Sequence, residues 1–268
     1  VLGLAAPLDP RRVTLDEVVG TTLAGAVVSA EQIPPFANSA MDGFAVRSVD
    51  VAAAPVTLEV VGAGAAGAVA TVALGPGQAY RIMTGAPVPP GADAVVMVEW
   101  CQAEGEQVLV TRPVPLGSHV RPAGDDIEVG DEVLAAGTVV TPAVLGGLCT
   151  LGVTTPTVVP RPRVGVCSTG DELVEPSEVV GPGQIRDSNR RTLLALAAAA
   201  GAEVVDLGCT PDEPGAVEAT FRDAVERCDL VLSSGGVSMG DFDHVKQVLG
   251  RIGDVRWMQV AIRPAKPL

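Results

Sequence analysis

Short apolar runs separated by glycine and proline dominate the chain between Val46 and Val110. The runs at residues 56–61 and 107–110 are rich in valine and leucine. Runs of this kind, bounded by turn-forming residues, are typical of β-strands. The pattern predicts a small β-rich domain over residues 31–114.

The pattern changes after Pro160-Arg161-Pro162, where residues 164–167 form a continuous apolar run. Such a run is typical of a strand covered on both faces. The segments that follow show alternating patterns, with strands at residues 203–207, 230–232 and 255–262, and helices at residues 190–200, at 215–227 and before the last strand. The alternation predicts an α/β domain over residues 161–268, with a mainly parallel sheet and helices on its faces.

The remaining segments, residues 1–30 and 115–160, are interpreted as an elongated connecting domain. Apolar positions at helical spacing, with two acidic residues in the first turn after Thr14, predict a short helix within residues 11–30. A second helix is predicted to begin near Pro142, among glycine and proline turns.

Two of the predicted parallel strands end in polar loops that contain glycine. The carboxyl ends of parallel strands lie at one edge of a sheet, and ligands bind there. Backbone N–H groups, serine hydroxyls and a following helix N-terminus can together bind an anion. Ordinary strand-to-helix turns are the alternative interpretation. The candidate residues are Ser168, Thr169 and Gly170 in the first loop, and Ser234, Gly235, Gly236, Ser238 and Gly240 in the second.

Several carboxylates follow the same strands, namely Asp171, Glu172, Asp212, Asp241 and Asp243. Taken singly, each is typical of a helix N-cap or first turn. Together they would repel an anion unless a hard cation lies between, and Mg²⁺ held by one or two carboxylates and phosphate oxygens meets that need. Arg263 and Lys266 either place two positive charges near this edge or belong to a solvated chain end.

Two segments outside the α/β domain have compositions that plain linkers lack. Residues 33–45 place a rigid Pro-Pro turn before Asp42, and residues 81–89 place the Thr84 hydroxyl in a loop fixed by proline. Structural turns are the alternative explanation of both segments.

Composition narrows the classes of function. The 268 residues carry a formal net charge of −14, which argues against nucleic acid as the main partner because phosphate backbones need a basic surface. The five cysteines are scattered without a CxxC pair, and no apolar run approaches the roughly 18 residues of a membrane span. We therefore expect reduced thiols, a cytoplasmic location and no membrane contact. The two histidines show no ligand-like spacing and no Ser-His-Asp arrangement.

Seven segments, in order along nearly the whole chain, resemble the molybdopterin molybdenumtransferase family, the bacterial MoeA type shared with the E domain of gephyrin. They are residues 34–45, 81–89, 117–127, 168–173, 183–189, 234–243 and 263–267. One glycine loop alone is weak support, whereas seven collinear segments are specific.

The resemblance implies an enzyme that inserts molybdate into adenylylated molybdopterin, releases AMP and uses Mg²⁺. It also implies a homodimer whose site combines the α/β domain of one subunit with the β-rich domain of the other, and a molybdopterin adenylyltransferase upstream. By motif, the functional positions are Asp42, Thr84, Asp126, Glu172, Asp212 and Asp243. Asp212 and Asp243 would hold the metal, the two glycine-bearing loops would bind the pterin and its phosphates, and the basic pair Arg263 and Lys266 would bind an oxyanion.

The chain departs from the family pattern at its last motif. The family's Lys-Pro-Gly-Lys is Arg263-Pro264-Ala265-Lys266 here, and Gln259 stands where some members have another lysine, so we expect a weaker oxyanion site. Family members continue with more of the α/β domain and a small C-terminal β-barrel domain, and we expect neither within the 268 residues.

Two other functions stay open at this point. The loop over residues 234–243 also suits a molybdopterin adenylyltransferase-like enzyme, although the segments at 34–45 and 81–89 favour the insertase. A non-catalytic scaffold of the gephyrin type, which binds a partner peptide, is the third possibility. The acidic and hydroxyl residues at all six functional positions argue against that scaffold.

Overall fold

The computed structural model describes residues 5–65, 67, 73–235 and 244–253, which fold into two compact units. We call Val1–Ala24, Gly137–Leu145 and Thr154–Leu268 the α/β unit, and Gly25–Ala136 with Gly146–Val153 the β-rich unit. The segments interpreted as a connecting domain are divided between the two units. The domain boundaries given above stay a prediction.

Short strands dominate the secondary structure. In chain order the strands are β1 (Arg11–Arg12), β2 (Thr22–Leu23), β3 (Val27–Val28), β4 (Asn38–Ser39), β5 (Gly43–Val46), β6 (Val56–Gly64), β7 (Gln78–Ile82), β8 (Ala94–Met97), β9 (Cys101–Glu104), β10 (Gln107–Val110), β11 (Val120–Arg121), β12 (Glu132–Leu134), β13 (Thr157–Val159), β14 (Arg163–Thr169), β15 (Leu173–Val174), β16 (Ile185–Arg186), β17 (Glu203–Thr210) and β18 (Leu230–Ser234). The α-helices are α1 (Ser48–Val51), α2 (Pro142–Thr150), α3 (Asn189–Ala199), α4 (Pro214–Arg227) and α5 (His244–Ile252), and a 3₁₀ turn spans Val98–Trp100. Over the described ranges, every helix is too short or too polar to cross a bilayer.

A three-stranded parallel sheet, in the order β17-β14-β18, forms the centre of the α/β unit. Residues 164–169 of the central strand β14 are all buried, as expected for a strand covered on both faces. Packing is tight at Gly165, where a Cβ would lie 2.8 Å from both Cys228 Sγ and Leu207 Cδ1. The predicted mainly parallel sheet is confirmed, and the strand predicted over residues 255–262 lies outside the described residues.

Helix α4 packs apolar side chains against this sheet. Val217 and Phe221, one helical turn apart, are buried and form an apolar cluster with Cys167 of β14 and Val248 of α5. The observed α3 and α4 agree to within one residue with the helices predicted from the sequence. The helix predicted to begin near Pro142 is present as α2.

A six-stranded sheet, in the order β8-β5-β7-β6-β10-β9, forms the core of the β-rich unit. Its pairs are antiparallel except for the parallel pair of β6 with β7. Gly43 begins β5 at a position where a Cβ would lie 1.9 Å from the backbone oxygen of Val96, so this position requires glycine. The strands predicted at residues 56–61 and 107–110 are confirmed as β6 and β10.

The helix predicted within residues 11–30 is wrong. The segment forms β1 and β2, which pair with β13, and β3, which pairs with β12. The predicted helix start is a single turn, in which the Thr14 hydroxyl donates to the Glu17 carboxylate at 3.0 Å. Gly20 then adopts a φ of 85°, which ends a helix, and the valines and threonines that follow favour strands.

Candidate functional site

The loops that follow β14, β17 and β18 begin at one edge of the parallel sheet. The strand register places Ser168 opposite Ser234, and Thr169 opposite Thr210. The two glycine-bearing loops therefore start side by side, as the sequence predicts. The second loop is described as far as Gly235.

Glycine allows these two loops to approach each other closely. Gly235 has a φ of 101°, which residues with a side chain rarely adopt. A Cβ on Gly235 would lie 2.5 Å from the backbone oxygen of Thr169 and 2.9 Å from its Oγ1. At Gly235, the backbone of the second loop therefore packs closely against Thr169, the last residue of β14.

The hydroxyl of Ser168 is turned inward at this edge. Ser168 is 0% exposed, and its Oγ donates to Asp187 Oδ2 at 2.5 Å. Thr169 is also buried, whereas Gly170 and the residues directly after it reach the surface. A buried hydroxyl that already donates to a carboxylate is poorly placed to contact a ligand. The substrate-binding role of this loop stays a prediction, and the exposed part of the loop suits it best.

Three of the predicted carboxylates are exposed around the same edge: Asp171, Glu172 and Asp212. Asp171 Oδ1 accepts the backbone N–H of Asp212 at 3.0 Å, which ties the loop after β14 to the loop after β17. The N-cap of α4 is Glu213 rather than Asp212, so helix capping does not explain the Asp212 carboxylate. A ligand or metal contact of Asp212 stays a prediction, and helix capping does not compete with it.

The other residues predicted for this edge lie outside the described residues. They are Gly236, Ser238, Gly240, Asp241, Asp243, Arg263 and Lys266. Within the described ranges, no three His, Cys, Asp or Glu side chains converge into a metal site.

A buried arginine, which the sequence analysis did not single out, lies behind this edge. Arg190 is 1% exposed, and its guanidinium pairs with the carboxylates of Asp187, Asp206 and Glu175. The more exposed Arg191 pairs with the last two of these at 3.1 and 3.0 Å. The sequence carries one signal for this arrangement: Arg190 and Arg191 lie in the first turn of α3, where the helix dipole favours acidic residues.

Asp187 connects this arginine to the end of β14. It is 2% exposed, and it accepts Arg190 Nε at 2.9 Å, the Arg190 backbone N–H at 3.1 Å and the hydroxyl of Ser168. Burial by itself raises the pKa of Asp187, but the hydrogen bonds from Ser168 and Arg190 outweigh it and hold the pKa below its ordinary value. Burial also opposes the charge on Arg190, yet the bonds to Asp206 and Asp187 raise its pKa. Both groups are therefore charged.

In the β-rich unit, Asp42 and Thr84 meet at one end of the six-stranded sheet. Asp42 precedes β5 and Thr84 follows β7, and the antiparallel register pairs Gly43 with Ile82. The backbone N–H and the hydroxyl of Thr84 both donate to Asp42 Oδ1, each at 2.7 Å. These bonds, the backbone one foremost, lower the pKa of Asp42. The fold thus brings together two residues predicted from separate segments.

Asp126 has a different partner in the same unit. Its carboxylate pairs with Arg121 at 2.6 Å, and Asp125 lies 3.6 Å from the same side chain. The hydrogen bond to Asp126 is the main cause of the raised pKa of Arg121. In the part of the chain that the structure describes, no hydrogen bond joins Asp126 to Asp42 or Thr84.

A surface groove of about 400 Å³ lies elsewhere on the β-rich unit. It is lined by residues of β6, β9 and β10, among them Thr57, Gln102 and Gln107. None of its lining residues belongs to the predicted site.

The fold is that of a multidomain α/β protein, with two glycine-bearing loops at the carboxyl edge of a parallel sheet, the edge at which such sheets bind ligands. Residues 165–268 match the family model of the probable molybdopterin binding domain, and residues 1–152 match that of the MoeA N-terminal region, domains I and II. The chain therefore belongs to the MoeA family, as its seven motifs predict.

Curated relatives carry the name molybdopterin molybdenumtransferase. The protein of that name from Bacillus subtilis (strain 168) is 40% identical over 261 residues, which cover 94% of this chain and 61% of the relative. Molybdopterin molybdenumtransferase 2 of Mycobacterium tuberculosis (strain H37Rv) is 41% identical over 268 residues, which cover 96% of this chain and 66% of the relative. The chain thus spans about three fifths to two thirds of the length of these relatives.

Solved structures share the fold. The crystal structure of a molybdopterin biosynthesis MoeA protein from Pyrococcus horikosii matches with a TM-score of 0.81 and 32% identity, over 99% of this chain and 68% of that chain. A second MoeA structure, from Pyrococcus horikoshii OT3, matches with a TM-score of 0.75 and 36% identity, over 85% of this chain and 62% of that chain. The predicted fold class, α/β and β in several domains, is confirmed.

Proposed function

We propose that the protein is a molybdenum insertase of molybdenum-cofactor biosynthesis, which inserts molybdate into adenylylated molybdopterin and releases AMP. The observation that carries the proposal is the pair of loops at the sheet edge, where Gly235 rests on Thr169 and exposed carboxylates surround them. Relatives at 40 and 41% identity that carry the name molybdopterin molybdenumtransferase support it.

This edge suits a ligand that carries phosphate groups. Backbone N–H groups and hydroxyls around Ser234 and Gly235 would bind the phosphates, together with Gly236, Ser238 and Gly240. Arg263 and Lys266 would bind the oxyanion. Ligand exchange at molybdenum needs no protein nucleophile, so the protein has to position the reactants and stabilise charge as the phosphoanhydride breaks.

We also propose that Mg²⁺ takes part, held by Asp212 and Asp243 together with substrate phosphate oxygens. Asp212 fits this role because it is exposed at the edge and does not cap α4, and Mg²⁺ needs only one or two carboxylates when phosphates supply other ligands. When bound, Mg²⁺ would offset the repulsion between substrate phosphates and a chain of net charge −14.

The protein is further proposed to act in the cytoplasm as a homodimer, downstream of a molybdopterin adenylyltransferase. Asp42 and Thr84 of one subunit would complete the site of the other. Within their own subunit they are in contact at 2.7 Å, so the two would act together. Asp126 and Glu172 are the other proposed functional positions. Sedimentation velocity tests the dimer, and a monomer at micromolar concentration would contradict it.

Incubation of the full chain with adenylylated molybdopterin, molybdate and Mg²⁺, with AMP followed by chromatography, tests the insertase. We expect AMP release that depends on molybdate and Mg²⁺. Asp212→Asn should slow it about 100-fold, the usual cost of removing a charge-stabilising group. The matched control is Asp223→Asn, which removes an exposed carboxylate of α4 that pairs with Arg227 at 2.6 Å, and its rate should equal that of the wild type.

Two results would contradict the insertase. One is the absence of AMP release when all three reactants are present. The other is an equal rate for Asp212→Asn and Asp223→Asn. Pyrophosphate release from ATP and molybdopterin would indicate an adenylyltransferase instead.

A further inference from the structure

The buried Arg190 is joined through Asp187 to Ser168, at the strand edge that is proposed to bind substrate. We propose that Arg190 is a positioning residue for this site, and that it acts through Asp187 and Ser168. The inference rests on the proposed function of the strand-edge loops.

The guanidinium of Arg190 joins three chain segments. Glu175 lies directly after β15, Asp187 directly after β16, and Asp206 within β17. β15 continues the loop that follows β14, and β17 leads into Asp212. One side chain thus fixes three segments that carry predicted site residues or lead to them.

Through Asp187 the network reaches the end of β14. Asp187 accepts the hydroxyl of Ser168 at 2.5 Å, and its own N–H donates to Val174 O at 2.9 Å. Because the hydroxyl hydrogen of Ser168 points to a buried carboxylate, Ser168 holds the strand end in place. The next residue, Thr169, is the one on which Gly235 rests, so a shift of Ser168 changes the contact between the two loops.

The geometry of the three ion pairs requires an arginine. Arg190 donates from Nε to Asp187, from Nη1 to Asp206 and from Nη2 to Glu175. A lysine has one charged nitrogen and lacks this planar fork. Loss of the guanidinium leaves the buried Asp187 carboxylate with its hydrogen bonds from Ser168 and the backbone of residue 190 but with no positive partner. A buried charge without a counter-charge is unfavourable, so we expect Asp187 to shift and to move Ser168 with it.

Arg191 offers a matched control within the same network. It pairs with Asp206 and Glu175, as Arg190 does, but it is half exposed. No hydrogen bond joins it to Asp187 within the described residues. Arg191→Gln therefore removes the same charge beside two of the same carboxylates and leaves the path to Ser168 intact.

The experiment compares Arg190→Gln and Arg191→Gln in the full chain. Binding of adenylylated molybdopterin is measured by calorimetric titration, and amide hydrogen exchange is measured over residues 168–172. We expect Arg190→Gln to weaken binding about 10- to 100-fold and to speed exchange in this segment, but not in β5 and β8 of the β-rich unit. Arg191→Gln should change binding less than about twofold. Equal effects of the two variants overturn the proposal.

A double variant, Arg190→Met with Asp187→Asn, separates positioning from folding. It removes a buried cation and its buried partner together, and Asp206 and Glu175 keep Arg191, so we expect the melting temperature to recover relative to Arg190→Gln. Binding should stay weak because the link from Ser168 to the other segments is lost. Recovery of binding together with the melting temperature shows a folding role only and overturns the proposal.

Hydrogen exchange keeps this inference distinct from the proposed function. A wild-type chain that does not bind adenylylated molybdopterin refutes the substrate site, whereas exchange over residues 168–172 still reports on positioning. Unchanged exchange in a folded Arg190→Gln variant refutes the role of Arg190, even if the wild type binds substrate and releases AMP.

Discussion

The two units support their predicted site residues in different ways. In the α/β unit, two buried charged residues, Arg190 and Asp187, hold the end of β14 and the loop that follows it. In the β-rich unit, an exposed carboxylate, Asp42, receives two hydrogen bonds from its neighbour Thr84. Buried ion pairs are costly to break, whereas an exposed hydrogen bond exchanges readily with water. The predicted site residues of the α/β unit are thus held by buried ion pairs, and those of the β-rich unit by hydrogen bonds between the ends of neighbouring strands.

The largest expected difference between the two units is in the free energy of unfolding after removal of one carboxylate charge. Asp187→Asn takes away a buried partner of Arg190, and we expect the free energy of unfolding to fall by about 3 kcal/mol in a urea titration. The matched change Asp42→Asn affects an exposed group and should lower the free energy of unfolding far less. Similar losses for both variants would remove the distinction between the units.

A methyl group at the loop contact should have the next largest effect. Gly235→Ala places a Cβ 2.5 Å from Thr169 O at a φ of 101°, a strain of about 1–3 kcal/mol that the loop relieves by moving away. Affinity for adenylylated molybdopterin should then fall about tenfold or more in a binding titration. The control is Gly215→Ala in α4, where a Cβ would have no neighbour within 4 Å, and binding should be unchanged. Equal affinities for the two variants would show that the loop contact does not shape the site.

The smallest expected effect concerns the pKa of Asp42. Thr84→Ala removes the hydroxyl bond and keeps the backbone N–H, which is the main cause of the lowered pKa, so the pKa should rise only part of the way to its ordinary value. A carbon-detected NMR titration of the Asp42 carboxyl measures this rise. A full return of the pKa to its ordinary value would show that the backbone N–H of Thr84 is not the main cause of the lowered pKa.

The lowered pKa also fixes the sign of the pH dependence at this contact. A depressed carboxylate pKa contributes stability above the unfolded value, about 3.9 for aspartate, and this contribution is lost as the pH falls through the folded value. Thr192→Ala is the matched control, because that hydroxyl donates to Ser188 O at 2.9 Å and should not affect Asp42.

The sequence predicted the elements of residues 161–235 better than those of the first 30 residues. Over residues 161–235, apolar runs and helix-length segments alternate, and the local pattern agrees with the tertiary packing. In residues 11–30 they conflict: the Thr14 to Glu17 turn starts a helix, and Gly20 ends it after one turn. Pairing with β13 and β12 then decides the structure of this segment, and these partners lie far away in sequence.

In the candidate site, too, contacts between residues far apart in sequence could not be predicted. Asp42 and Thr84 could be predicted because each lies in a distinctive proline- and glycine-bounded segment. The role of Arg190 could not, because its partners Glu175 and Asp206 are 15 and 16 positions away and meet it only in the folded sheet. The inward turn of the Ser168 hydroxyl also depends on a tertiary contact, that with Asp187.

The two arginines that share Asp206 and Glu175 differ in their sensitivity to salt. Arg191 is 52% exposed and Arg190 is 1% exposed. Dissolved ions screen exposed charges over a Debye length of about 8 Å at physiological ionic strength, but they screen buried pairs much less. Rising salt therefore weakens the outer half of the network first, while the inner half still holds the strand edge. The proposed ligand site should therefore keep its shape at ionic strengths that already screen its surface charges.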